Sequence, residues 1–158
     1  MNVENKNEIA VLDLARRKVL TRFPLPGCDG PTGLAYDAAE NQLFAACDGS
    51  SVVVAAATGK VVATLATGKG ADGVAFDGDR RLAFVPAGGA GALFVVKVGK
   101  GRAAIVDTVT TEVGARTIAL DPRSGRLYLP SAAFGPRPAA GGRPPMVPGS
   151  CHILVVGK

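Results

Sequence analysis

The chain has 158 residues, 47% of them apolar, and 18 Lys and Arg against 13 Asp and Glu give it a formal net charge of +5. This apolar content is enough for a packed interior, and because no apolar run passes about ten residues without a glycine, charge or polar break, a membrane-spanning helix of roughly 20 is excluded. The cations are dispersed, with Arg16-Arg17-Lys18 and Arg80-Arg81 as the short clusters and few aromatics beside them, so a solvated basic surface is favoured over nucleic acid or another polyanion.

Taken in chain order, the opening Met1 to Glu8 is polar and carries no export signal. The first strand is expected at Glu8–Asp13 and the second at Lys18-Val19-Leu20-Thr21, with Asn2 to Lys6 read as the turn before them. Then a phrase recurs: Gly33-Leu34-Ala35-Tyr36-Asp37, Gly73-Val74-Ala75-Phe76-Asp77 and Thr117-Ile118-Ala119-Leu120-Asp121, its aspartates 40 and then 44 residues apart. That period belongs to β-propeller blades. Each copy is followed by a second apolar run, at Leu43–Ala46, Leu82–Val85 and Leu127–Pro130. Third and fourth strands follow at Val52–Val54 and Val61–Leu65, then at Leu93–Val96 and Ala104–Val109, and the chain closes on a third-type strand at His152–Val156. β-Branched residues and the turn residues Gly49-Ser50, Thr58-Gly59, Gly78-Asp79 and Ser124-Gly125 favour strands throughout.

The expected fold is therefore all-β: blades of four antiparallel strands, thirteen strands in total, forming about three blades in an open arc. One partial propeller over 1–158 divides into blade portions at about 8–27, 28–69, 70–113 and 114–158, with a Pro/Gly-rich loop at about 133–150. Small residues suit the innermost strand, which crowds its neighbours around the axis. The aspartate ending that strand is expected to bond the backbone of the following turn.

These blades resemble the YVTN-type, YncE-like β-propeller repeats. The resemblance rests on Ile9-Ala10-Val11-Leu12-Asp13, Lys18-Val19-Leu20-Thr21 and Lys60-Val61-Val62-Ala63-Thr64-Leu65, then Gly30-Pro31-Thr32-Gly33-Leu34-Ala35 and Arg126-Leu127-Tyr128-Leu129. It implies a ring of usually seven blades, about twice this length, often exported by bacteria. The chain would then be a C-terminal portion of such a ring, periplasmic or extracellular. Its unpaired edges and open blade faces imply self-association.

Aligning the repeats on their aspartates puts Thr32, Asp72 and Arg116 at one equivalent position, in loops that ring a propeller's mouth. With Asp29 and Lys69 nearby they are the candidate ligand contacts, Arg116 being the one suited to an anionic group. Ordinary solvated loop residues are the competing reading. The three cysteines lie 19 and 104 residues apart, which matches no zinc signature. Cys28 precedes the first strand of a hairpin and Cys47 ends the second, so a disulfide is credible beside separate thiols. His152, the single histidine, adjoins Cys151 on a strand, where neighbouring side chains point to opposite faces. No metal, cofactor or catalytic residue is assigned. The Pro/Gly-rich segment reads as a mobile loop or, alternatively, as a partner-docking segment in polyproline geometry. The leading function is a non-enzymatic binding or interaction scaffold, contacting a small anionic ligand or a protein partner through the loops before the inner strands. The alternative is a lactonase-like hydrolase or other propeller enzyme with its site at the channel mouth.

Overall fold

Among the described residues, glycine-bounded turns break the apolar runs into fourteen strands of two to nine residues. The computed structural model describes residues 1–139 and 141–157. Of the loop read over 133–150, Ala140 falls outside the described residues, as does Lys158 at the end of the expected 1–158 domain.

The strands form four sheets, all with antiparallel pairing. The first contains β1 (Asn2–Val3), β2 (Glu8–Asp13) and β3 (Lys18–Pro24). The second runs through β4 (Gly33–Asp37), β5 (Gln42–Ala46), β6 (Gly49–Ala55) and β7 (Val61–Gly68), and the third through β8 (Ala75–Asp77), β9 (Leu82–Ala87), β10 (Ala92–Gly99) and β11 (Arg102–Thr110). The fourth holds β12 (Ala119–Leu120), β13 (Leu127–Ser131) and β14 (His152–Val156). The array is open: four-stranded in the middle, three-stranded at its ends.

Several boundaries differ from the sequence reading: Gly49 and Ser50, expected in a turn, begin β6, and Gly73, Val74, Thr117, Ile118 and Asp121 lie outside β8 and β12. Asn2 and Val3 are a short strand, not a turn, in register with Ile9 and Glu8. The cause is local bonding: the Ala10 N–H reaches the Met1 carbonyl at 2.8 Å, and the Asn2 amide donates to the Gly33 carbonyl at 2.9 Å, which ties the first sheet to the second.

The repeat carries its irregularities with it. A register shift falls at Val11/Leu12, at Val53/Val54 and at Val95/Val96, each between the last two strands of a sheet; such bulges increase local twist. The core lies between sheets. Ile9, Phe23, Leu25, Val52 and Val54 fill the first interface, Phe44, Val53, Val85 and Val96 the second, and Phe84, Leu93, Leu127 and Leu129 the third.

The small residues of the inner strands have a direct steric reason. A Cβ added at Gly33 would stand 2.6 Å from the Gly73 carbonyl carbon and 2.8 Å from the Val74 nitrogen, so β4 and the segment entering β8 touch backbone to backbone. At Gly73 the same atom would meet Thr117 Cα at 3.4 Å, an ordinary contact.

Candidate functional site

The loops entering the inner strands are joined from repeat to repeat. The Thr32 hydroxyl donates to the Ala71 carbonyl at 2.6 Å, and one residue further on the Asp72 N–H donates to the Arg116 carbonyl at 3.0 Å. Arg116 Nε also stands 3.0 Å from Asp72 Oδ2 in an ion pair, with both side chains exposed. The three equivalent residues thus line up along one end of the arc, each reaching toward the next. Arg116 pairs with Asp72 through Nε and has a side chain that is 58% exposed.

The β9–β10 turn, Gly88-Gly89-Ala90-Gly91, explains how the loops are held. The Gly88 and Gly89 N–H groups donate to the Gly70 and Lys69 carbonyls, each at 3.0 Å, and the Gly114 N–H donates to the Gly88 carbonyl at 2.8 Å. A Cβ at Gly88 would stand 2.7 Å from that of Arg116. These glycines let two successive linkers close on the turn, which is therefore stitched to its neighbours on both sides.

Beside this seam lies a cleft of about 320 Å³ lined by Glu4, Asp29, Thr32, Asp48, Gly70 and Asp72. Three of its carboxylates are engaged: Asp48 accepts the Gly70 N–H at 2.8 Å and Asp29 the Asn7 amide at 3.5 Å, while Asp72 pairs with Arg116. The charge in the cleft is predominantly negative, a character that the repeat alignment, centred on Arg116, did not show. Lys69 lies near its edge, its stem 3.8 Å from where a Cβ would stand on Gly49.

Cys28 and Cys47 are joined in a disulfide behind the same cleft, with Cα atoms 5.3 Å apart. Both are buried in the first interface. Cys151 is free and exposed. His152 is placed by two contacts: Nδ1 to the Ser150 carbonyl at 2.9 Å and Nε2 to Glu112 at 2.9 Å. The Ser150 carbonyl, then Glu112, hold the imidazolium above its ordinary pKa, and His152 holds the Glu112 carboxyl below the usual range. The pair clamps the β11–β12 linker to the start of β14. Both ring nitrogens are thereby taken up, and Cys151 has no place in a Cys-His nucleophilic pair.

Among the described residues of 133–150 the two arms are bonded to each other: Phe134 bridges Met146, the Gly135 N–H donates to the Pro145 carbonyl at 2.8 Å, and the Val147 N–H to the Ala133 carbonyl at 2.9 Å. The Ser150 hydroxyl, 2.7 Å from the Val147 carbonyl, closes the base.

At the opposite end of the sheets, the repeated aspartates serve their turns. Asp37 accepts the Ala39 N–H, Asp77 the Arg80 N–H and Asp121 the Arg123 N–H, at 2.9 to 3.1 Å. Asp13 does the same for Arg16 in the β2–β3 turn. Burial works against ionisation of Asp77, but the Arg80 N–H and guanidinium outweigh it; Asp121 is held ionised by Ser124 and Arg123. Sequence reasoning left the next step out. Arg81 pairs through both guanidinium arms with Asp37 of the previous repeat, and Arg80 binds its own Asp77 at 2.6 Å and the Gly125 carbonyl of the following repeat at 3.1 Å. The Arg80-Arg81 cluster is thus a clamp across three sheets. Its signal was the adjacency of two arginines to a repeated aspartate.

Among the described residues, the remaining cations at this end sit turn by turn: Arg16 and Arg17 between β2 and β3, Lys18 at the start of β3, Lys60 before β7, Lys97, Lys100 and Arg102 around the β10–β11 turn, and Arg123 and Arg126 between β12 and β13. With Arg80 and Arg81 they number eleven, against the six carboxylates Asp13, Asp37, Glu40, Asp77, Asp79 and Asp121. The excess of five equals the formal net charge of the whole chain, +5.

No protein-family model matches the chain, and no curated protein does. Among solved structures, the chain is similar to the hydrazine synthase of Kuenenia stuttgartiensis, with a TM-score of 0.73 and 16% identity over 91% of this chain and 44% of that one. It is also similar to a chain in a crystal structure of the mitotic checkpoint complex, with a TM-score of 0.68 and 14% identity over 79% of this chain and 40% of the other. The chain spans less than half of either. At these identities the likeness speaks for the fold alone, and that fold is an all-β, propeller-type array of antiparallel sheets, here an open one.

Proposed function

We propose that the chain is a non-enzymatic binding scaffold whose contacts lie on the loops before the inner strands, with Thr32, Asp72 and Arg116 among them and a protein as the partner. The observation that carries this reading is the mixed charge of that end, where the exposed Arg116 side chain, paired with Asp72, stands beside a cleft lined by Glu4, Asp29, Asp48 and Asp72. A small anion would meet Arg116 but be repelled by the carboxylates. A protein surface can offer a cation to the cleft and an acceptor to Arg116 together. Asp29, Asp48 and Asp72 are already hydrogen-bonded or ion-paired, which suits recognition better than proton transfer.

YVTN-type blades are supported by the repeat motifs, an oxidising compartment by the Cys28–Cys47 bond, and self-association by the unpaired sheet edges at both ends of the arc. The test of the mouth is an amide NMR titration with a short arginine-containing peptide, an acidic peptide and a small dicarboxylate. The arginine peptide is expected to shift the Asp29, Asp48, Gly70 and Asp72 amides, and Asp48→Asn to weaken the effect. Shifts with the dicarboxylate alone would favour a small anionic ligand at Arg116, and no shifts with any probe would remove the mouth as a binding surface.

A further inference from the structure

We propose that the β2–β3 hairpin, at the basic end of the sheets, docks on an anionic lipid surface. The hairpin extends past its neighbour. Phe23, near the end of β3, packs against Gly59 in the β6–β7 turn, so the strand residues before it run beyond that turn, and Lys18 to Arg22 are all exposed. At the tip Leu14 is 84% exposed, with Leu20 at 61% close behind it. Leu14 lies in the turn, past the ends of β2 and β3, where no neighbouring sheet would cover it. Arg17 and Lys18 flank it and have no carboxylate partner among the described residues, and Arg16, though paired with Asp13, has a side chain that is itself 78% exposed. The five excess positive charges gathered at this end of the chain supply attraction from further off.

Cations with protruding leucines are the combination that an interfacial surface uses: the charges meet anionic headgroups, and the apolar side chains enter the headgroup boundary. A nucleic acid or other soluble polyanion would use the cations and leave the leucines in water, and the tip has no aromatic on which bases could stack. This surface lies at the far end of the sheets from the mouth, so the two can be tested separately.

The test is flotation of the full chain with vesicles of phosphatidylcholine alone and of phosphatidylcholine mixed with phosphatidylglycerol. Binding is expected to the mixed vesicles only and to fall as salt is raised. Arg17→Asn, which suits the positive φ of 53° at that position, and Lys18→Asn should each weaken it roughly fivefold. Leu14→Ser should weaken it as well, with Asp72→Asn at the mouth without effect. Equal binding to neutral vesicles, or none to mixed ones, would overturn the proposal. So would tighter capture by a DNA duplex or a sulfated polysaccharide with Leu14→Ser unaffected, and that result would assign the surface to a soluble polyanion.

Discussion

The contrast between Gly33 and Gly73 makes the sharpest test of how the sheets are held together. The two occupy one position of the repeat, so composition predicts the same response to Gly→Ala at both. The structure does not. At Gly33 the new methyl would lie 2.6 Å from a backbone carbon where ordinary contact begins at 3.4 Å, so β4 and the segment entering β8 must part by nearly 1 Å. A flexible side chain could turn aside, but a backbone held at both ends cannot, and the cost belongs at the upper end for overpacking, about 3 kcal/mol. At Gly73 the methyl fits at 3.4 Å or more, and a smaller loss of chain entropy on folding offsets residual crowding, leaving a change within about 1 kcal/mol of zero. For a chain of this size about 3 kcal/mol corresponds to a melting temperature lower by roughly 6–12 °C. Urea titration and thermal melts of the two variants beside the parent chain measure this directly. Equal destabilisation by both, or a neutral Gly33→Ala, would refute backbone-on-backbone packing of the inner strands.

Three further outcomes are expected. Replacing Arg81 by Met leaves Asp37, 4% exposed, without its bidentate partner; a loss of about 3 kcal/mol in urea titration is expected, and a loss under about 1 kcal/mol would show that the clamp between repeats is idle. Reduction of Cys28–Cys47, which closes a loop of 19 residues, should cost about 3 kcal/mol, read as the difference in denaturation midpoint with and without a thiol reductant; coincident curves would contradict it. The His152–Glu112 pair sets a pH window. The folded pKa of His152 is raised, so its stabilisation is complete below the unfolded imidazole pKa and is lost as pH rises through the raised value; that of Glu112 is lowered, so its share is present above the unfolded carboxyl pKa and lost as pH falls through the lowered one. In an NMR titration His152 should therefore titrate above an ordinary histidine, and Glu112→Gln should move it only part of the way back, because the Ser150 carbonyl is the larger cause. A midpoint unmoved by Glu112→Gln would mean that the ion pair does not form in solution.

The strands after β1, the four-stranded sheets and the open arc were legible in the sequence because each follows from short-range rules. Apolar runs of four to nine residues between Gly, Asp and Ser have one economical use, and repeating them every 40 to 44 residues makes neighbouring sheets alike. The aspartate turns were legible for the same reason, since the Asp37 and Ala39 partners lie two residues apart. Contacts between repeats were not. Arg81 reaches Asp37 across 44 positions, and nothing in the local pattern distinguishes it from a solvated arginine until the two turns are seen side by side. Nor did the alignment of Thr32, Asp72 and Arg116 reveal the charge around them, because Glu4, Asp29 and Asp48 come from other loops that meet there only when the sheets pack. Pairing within a sheet depends on spacing along the chain, which the sequence states by itself. The electrostatics of each end depend on which distant turns share a surface, and only the tertiary structure decides that.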